Sequence, residues 1–592
     1  MKLVMVLPLF SEYGMKEYLG IELIVHALKE NGYRVDLIDM NEKLVDHLLS
    51  KKTGFHETVL QKIRAMDTHP SPAGVYAEHY LQHILTYDSA SALKKDRLFD
   101  NFFKTIVLQH LDPGMFPADS PATAFDKILH AAPVLESFLF ETGAQLCDRQ
   151  YDAVLVSVPH AHQLVHALLF SKMVKSFNRR MPIIFGGSTI TLSDEAELQD
   201  YVRDGFVDYY IKYSGEEKLL SLLVDLEENE AIDQTELSKM AYVDINKQVI
   251  AYRTEQDLSS VPVLYSRGCY WGKCTYCTYV LLDSGQFTRK KISVLLSELK
   301  QFSNKPVRIS LITETLTPHD ARTIAEGILE KNIRVRWGSF IRVNRAFDTA
   351  LFSLLRESGC LYSCVGVESV NDKILKFYNK GYTKEDVTAF FRSAREAHFQ
   401  FFQVNFMYGA PVADIHDELD NIQFISEFRD VIGNIAFFRL EITKKSYLGQ
   451  HLEDFHIQID PTSAARAIRL DVIPYVPSLD RQSAMVLERA YGIAGEYCKI
   501  RDVKASIRLF LRQNETVAAL KNVVLFELDG HCIAGSLKSF ILREVSADLF
   551  SKLKTQEKIA LKDLKERDLF TLFELGVVDT EPIVYGKTPG AA

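Results

Sequence analysis

Eight cysteines in 592 residues are too few for a disulfide framework. Positive charge is not in excess: 69 Lys and Arg against 78 Asp and Glu leave a net −9, with no long basic run. That balance argues against a nucleic-acid backbone or an anionic membrane as the main partner. No apolar run approaches the length of a membrane span. No small-residue cleavage site follows the apolar opening MKLVMVLPLF, and the polar SEYGMKE behind it reads as a loop after a strand. Internal repeats and low-complexity tracts are not evident either. What remains is a chain 47% hydrophobic, long enough for three or four domains with large cores. The expected partner is a small molecule or a peptide.

The apolar patterning describes two α/β series. LVMVLPL, an amphipathic helix through Ile21 to Lys29, and RVDLIDM open the first. It resumes with YDAVLVSV (151–158), a helix from Leu164 to Phe177, MPIIF (181–185) and VDYYIKY (207–213). Five strands alternating with helices predict a doubly wound parallel sheet over 1–225, whose ligand sits over the carboxyl ends of its strands. A helical insertion interrupts it at about 44–148. Residues 226–260 read as an acidic and polar linker holding a short β-ribbon, MAYVDINKQVIAYR. From 261 to 455 six strand candidates, VPVLYS, VRISLIT, IRVRWGSF, LYSCVGV, FQVNFMYG and IAFFRLE, alternate with helices as a partial barrel. The remainder, 456–592, reads as mainly helical, with a late strand pair in a pattern compatible with a winged helix.

Chemistry gathers at SRGCYWGKCTYC, just after the first barrel strand, where Cys269, Cys274 and Cys277 stand within nine residues. Three thiolates are the usual complement for a four-iron four-sulfur cluster with one iron left open. A structural zinc wants four closed ligands, yet no His occurs between 251 and 318 and no further Cys before Cys360. Zinc would need a distant fourth ligand. Cys360 and Cys364, at the mouth of a strand, read as packed thiols, with a redox partnership as the alternative. The trio suggests thiolate chemistry in a reducing cytoplasm.

A cysteine loop at this place in a six-fold βα series, with an aromatic residue before the last Cys, resembles the radical S-adenosylmethionine (SAM) enzymes. Their usual spacing is C-x3-C-x2-C; this chain has C-x4-C-x2-C. ITETLTP, GCLYSCVGVES, Lys380-Gly381 and VNFMYGAP carry the resemblance through to about residue 442. It implies that SAM chelates the open iron and is cleaved by an electron from the cluster to a 5′-deoxyadenosyl radical, with an external one-electron reductant of flavodoxin or ferredoxin type. It further implies Glu314 at the methionine amino group, Glu368 at the ribose hydroxyls, Tyr276 near the adenine, Asn405 facing the same ligand and Arg342 at the SAM carboxylate. A solvated strand end for Glu314 and a structural salt bridge for Glu368 stay open.

The sheet in front of the barrel resembles the cobalamin-binding domain of cobalamin-dependent radical SAM enzymes. Ser157-Val158-Pro159, 26 further residues and Gly186-Gly187 reproduce the second half of the cobalamin signature, D-x-H-x-x-G followed by S-x-L and G-G. The first half is absent: aligned on Gly14, Leu9 replaces the Asp and Ser11 the metal-ligating His. Ser11, Gly14, Ser157, Gly186, Gly187, Ser188 and Gly215 are the residues this resemblance places at cobalamin. His160 and His162 read as surface or hydrogen-bonded histidines. Asp529-Gly-His531, which nearly spells the signature, lies in the wrong domain.

Together the two resemblances imply methyl transfer from methylcobalamin to an unactivated carbon of a natural product or peptide. Alternatives are a non-methylating rearrangement, cyclisation or oxidation, and a non-catalytic iron-sulfur protein. A methylthiotransferase is disfavoured because no second cysteine trio precedes the barrel. The C-terminal pattern resembles elements that some peptide-modifying radical enzymes use to hold a precursor, with a plain structural cap as the alternative. No catalytic side chain is assigned.

Overall fold

The computed structural model describes residues 1–10, 18–50, 54–66, 72–95, 98–108, 132–228, 260–283, 285–305, 307–399, 402–460, 472–492, 523–528, 530–536 and 541–555, with shorter pieces between and after these. The chain divides into two compact units, one of residues 1–39, 114–128 and 140–498, the other of 40–113, 129–139 and 499–592.

The first unit contains both parallel sheets. In the amino-terminal one, β1 (Lys2–Leu7), β2 (Arg34–Asp39), β3 (Ala153–Ser157), β4 (Ile183–Gly186) and β5 (Tyr209–Tyr210) lie in the order β2-β1-β3-β4-β5, all parallel. Strands buried on both faces read as continuous apolar runs, as LVMVL does. Helices α1 (Leu19–Glu30) and α3 (Glu216–Glu228) pack Ile21, Val25, Leu28, Leu219, Leu222 and Leu223 against Leu3, Met5, Leu7 and Leu155. Helix α2 (Leu164–Phe177) follows β3 and is largely buried. The fifth strand is shorter than VDYYIKY implies. The side-chain amide of Gln234 takes up both backbone groups of Tyr210, and Tyr213 turns the chain at φ +63°.

The second sheet holds β6 (Ser260–Leu264), β7 (Arg308–Leu316), β8 (Arg336–Ile341), β9 (Cys360–Glu368), β10 (Phe402–Tyr408) and β11 (Ile432–Arg439), side by side in sequence order and parallel throughout. This is the six-stranded partial barrel. Its helices start on side chains that accept orphan backbone N–H groups, a cap that contributes about 1 kcal/mol each. Thr317 caps α5 (Pro318–Glu330) and Asp348 caps α6 (Thr349–Glu357). Thr383 and Asp414 make capping boxes at α7 (Lys384–Glu396) and α8 (Ile415–Glu427). The apolar faces of α5 to α8 and of α4 (Ile292–Lys300) close one core around Trp337, Phe352, Phe390, Phe391 and Phe402.

Sheet and barrel meet within this unit. Leu23 of α1, Ile245 and Leu264 form a small apolar cluster flanked by Leu19 and Ile312. Arg267, just past β6, reaches the Ser214 hydroxyl and lies 3.3 Å from Glu216.

In the second unit, β12 (Val523–Leu528), β13 (His531–Ser536) and β14 (Ile541–Glu544) form an antiparallel sheet backed by the helix Ala547–Thr555. The phenol of Tyr76, on the helix Pro72–Ile84, donates to the Ser536 carbonyl. Most of the β-ribbon expected at 240–253 lies outside the described residues; Ile245–Lys247 form one 3-10 turn. Among the described residues no helix is long and apolar enough to cross a membrane.

Candidate active site

The cysteine loop starts where β6 ends and is fastened to the segment after β9. Thr275 donates from its backbone N–H to the Tyr378 carbonyl at 3.1 Å and from its hydroxyl to the Phe377 carbonyl at 3.0 Å. The Trp271 indole donates to the Asn379 carbonyl at 3.0 Å, and the Asn379 amide returns a bond to the Lys273 carbonyl at 2.9 Å. Cys269, Cys274 and Cys277 are free and half-buried. Among the described residues no three His, Cys, Asp or Glu side chains converge as the donor set of a single ion. The three thiols nevertheless lie within electrostatic reach of one another.

Burial raises the Cys274 thiol, against the pull of Lys380 and Arg342, which favour its thiolate. Burial pushes Cys277 up to about 12, opposed by the Tyr279 backbone N–H. Both thiols therefore hold their protons until a metal displaces them. Three thiols from one pinned loop, with two cations and a backbone donor around them, fit a group that takes three thiolates.

Beside the loop, Tyr276 and Lys380 converge on Glu368. The Tyr276 hydroxyl donates to Glu368 Oε1 at 3.2 Å, and Lys380 Nζ stands 3.4 Å from both groups. Burial, then Glu368, raises the Tyr276 phenol well above its ordinary range, so it stays a donor. Glu368 holds φ +64° at a β-bulge, a left-handed conformation that few non-glycine residues adopt and that functional sites tend to store. Asn405 projects from the neighbouring strand β10, with Cys364 Sγ 3.8 Å from its Oδ1. Cys360 is buried against Ser363 and the Tyr362 carbonyl. Arg342 lies under the Trp271 ring, 4.0 Å from its centroid. These hydrogen-bonding groups suit a ligand with hydroxyl and amino groups.

A cavity of about 390 Å³ opens between the carboxyl ends of the two sheets. Ser157, Gly186, Gly187, Ser188 and Gly215 line it from the first sheet, Glu314 and Asp283 from the barrel side. Glu314 is exposed to this space yet surrounded by protein, and that burial, with Asp283 nearby, pushes its carboxyl up to about 7. Gly187 adopts φ +105°, and a Cβ there would sit 2.7 Å from the Val158 carbonyl oxygen. The glycine is therefore required by the chain's own crossing of two turns, which Ser188 ties by donating to the Pro159 carbonyl. Ser11 and Gly14 lie outside the described residues.

His160 shares a hydrogen bond with the Tyr18 hydroxyl at 3.0 Å and caps the turn Ala161–Gln163, while His162 Nε2 meets the Phe10 carbonyl at 2.8 Å. His531 pairs with Glu544 at 2.8 Å. The sequence reading passed over Arg267, Asp283 and Tyr382, which no motif marks. Lys380 carried a signal in its Lys-Gly pair but no role.

The fold and this cysteine loop define an α/β protein with three free thiols on one loop and a cavity between its two sheets. The family model of the Radical SAM superfamily matches residues 263–425, so the chain carries a radical SAM domain, whose class implies a four-iron four-sulfur cluster and SAM. Among curated relatives, bacteriochlorophyllide d C-12(1)-methyltransferase of Chlorobaculum tepidum is 30% identical over 127 residues, covering 20% of this chain and 27% of that protein. Ribosomal protein uS12 methylthiotransferase RimO of Dictyoglomus thermophilum is 25% identical over 347 residues, 55% of this chain and 76% of that protein. The first of these relatives is thus matched over about a quarter of its length. Among solved structures, the cobalamin-dependent S-adenosylmethionine radical enzyme OxsB with aqua-cobalamin bound has a TM-score of 0.51 at 13% identity, covering 86% of this chain and 68% of that one. The chain shares its fold.

Proposed function

We propose that this chain is a cobalamin-dependent radical SAM enzyme that transfers a methyl group to an unactivated carbon of a natural product or peptide. The observation that carries the reading is the single cavity shared by Ser157, Gly186, Gly187, Ser188 and Gly215 of the sheet and Glu314 of the barrel. It is supported by the radical SAM match over the barrel and by the methyltransferase among the curated relatives. When bound, the cluster and SAM would supply hydrogen abstraction and methylcobalamin the methyl group.

The chain's own residues bind and orient. Cys269, Cys274 and Cys277 would hold the cluster, Glu368 with Tyr276 and Lys380 would take the ribose hydroxyls, and Glu314 would accept from the methionine amino group. Arg342 would meet the SAM carboxylate and Asn405 would face the same ligand. Ser11, Gly14 and the cavity-lining residues of the sheet would hold cobalamin. The cavity shared by sheet and barrel would bring the reacting groups close together. The division into a cobalamin-binding segment at 1–225, a linker at 226–260, a barrel at 261–455 and a C-terminal region at 456–592 is part of the same proposal, as are a cytoplasmic setting and a flavodoxin- or ferredoxin-type reductant.

Anaerobically purified protein tests this by iron, sulfide and cobalt analysis, followed by incubation with SAM and reductant. Both 5′-deoxyadenosine and S-adenosylhomocysteine are expected. Deoxyadenosine alone, with cobalt bound, points instead to non-methylating chemistry, and absence of cobalt removes the cobalamin half of the reading. Alanine at any of the three cysteines is expected to abolish the iron-sulfur absorbance and SAM cleavage together.

A further inference from the structure

The charges packed beside the cysteine loop do not balance. Arg342 is only 9% exposed, and its guanidinium is held between two rings, 4.0 Å from the centroid of Trp271 and 5.0 Å from that of Tyr382. Its Nε and Nη2 are buried and have no hydrogen-bond partner among the described residues. Lys380 lies 5.8 Å from the Tyr382 ring, but its charge is matched by Glu368 at 3.4 Å. Among the described residues, Lys380 and Arg342 are thus two buried cations beside the one carboxylate that Lys380 takes, and a guanidinium with no ion pair of its own in a place of low dielectric is costly unless an anion joins it.

The clamp on Arg342 belongs to the cysteine loop itself. Trp271 stands between Cys269 and Cys274, and the space its indole fills exists because residue 381 is glycine: Gly381 holds φ +69°, and a Cβ there would collide with the ring. The aromatic faces stabilise the guanidinium without consuming its donors.

We propose that Arg342, clamped by Trp271 and Tyr382, is a positioning residue whose unpaired charge stabilises the reduced state of the thiolate-bound cluster and so raises its reduction potential. The inference rests on the reading of Cys269, Cys274 and Cys277 as cluster ligands. One electron from the external one-electron reductant leaves the bound group one unit more negative, and a buried cation lowers the energy of that state more than of the oxidised one. Arg342 is suited to this because its charge is free, whereas that of Lys380 is spent on Glu368.

The test is a redox titration of the full, anaerobically reconstituted chain with dithionite and mediators, without SAM, read by the electron paramagnetic resonance of the reduced cluster. Arg342→Gln is expected to keep its iron and sulfide and to lower the reduced-to-oxidised ratio at a fixed potential by about tenfold, which is about 59 mV for a one-electron couple. Arg342→Lys is expected to stay near wild type. An unchanged potential in Arg342→Gln with full iron content overturns the proposal, and weaker SAM binding in that variant would then assign Arg342 to the SAM carboxylate. If Arg342→Gln loses its iron, Arg342→Lys decides: a retained cluster at wild-type potential supports the role of charge, while loss in both variants overturns it in favour of packing. Wild-type protein that binds no iron and sulfide sinks the reading of the trio and this inference with it, and is recognised by that absence.

Discussion

Glu314 shows how a residue's surroundings set what it can do. Its carboxyl is pushed up to about 7 because protein crowds it and Asp283 shares the same cavity. Near neutral pH both protonation states are populated, and the ionised form accepts the stronger hydrogen bonds from an amino group. Between pH 6 and 7 the ionised fraction rises about fivefold, so SAM affinity is expected to rise by a similar factor. Calorimetry on the reconstituted protein checks this, and a Glu314→Gln variant with an equally steep rise would exclude Glu314 as the cause. The residue was legible as the acid of ITETLTP at a strand end, but Asp283 was not, because nothing in the sequence brings the end of the cysteine loop against that strand. Glu368 was likewise legible as an acid, whereas its strained backbone and its bonds to Tyr276 and Lys380 depend on a bulge that periodicity does not reveal.

At the scale of elements, period and punctuation carried the reading a long way. Every strand of both sheets falls on an apolar run, and the barrel helices open on Thr-Pro, Asp-Thr and the Thr-x-x-Asp and Asp-x-x-Asp boxes that the capping rule anticipates. Where two elements must pass closely, one residue decides. At Gly187 a Cβ would meet the Val158 backbone and the φ is left-handed, so Gly187→Ala is expected to cost about 1–3 kcal/mol. It should also loosen the turn formed with Ser157 and Ser188. Thermal unfolding and the corrin absorbance retained after gel filtration measure both effects; an unshifted midpoint would show that the crossing yields easily. By contrast Thr383→Ala removes one side of a capping box without touching a crossing of two backbones. It is expected to cost about 1 kcal/mol, as denaturant unfolding would show.

For the whole molecule, stability is tied to buried acid. Glu418 is fully buried, accepts from the Gly409 backbone N–H at 3.0 Å, and is pushed up to about 7 by burial. An acid whose folded pKa lies above its unfolded value of about 4.5 keeps its proton in the native state, so its contribution is most favourable below pH 4.5 and declines as pH rises to about 7, then levels. The span is about 3 kcal/mol. Glu418→Gln is expected to flatten the fall of the unfolding midpoint between pH 5 and 7, and an unaltered slope would assign the fall to other groups. By itself the sequence determined the two parallel sheets, the thiol trio at the mouth of one and the spaced Ser157 and Gly186-Gly187 at the mouth of the other, because strand period, glycine turns and residue spacing are local. Only the tertiary structure decided that Glu314 shares a cavity with Ser157 and Gly187, that the Arg342 guanidinium lies under Trp271, and that Tyr76 bonds to Ser536 in one compact unit with the C-terminal sheet. Those contacts join residues tens to hundreds of positions apart, and they form where burial and charge balance are settled by the packing of the chain as a whole.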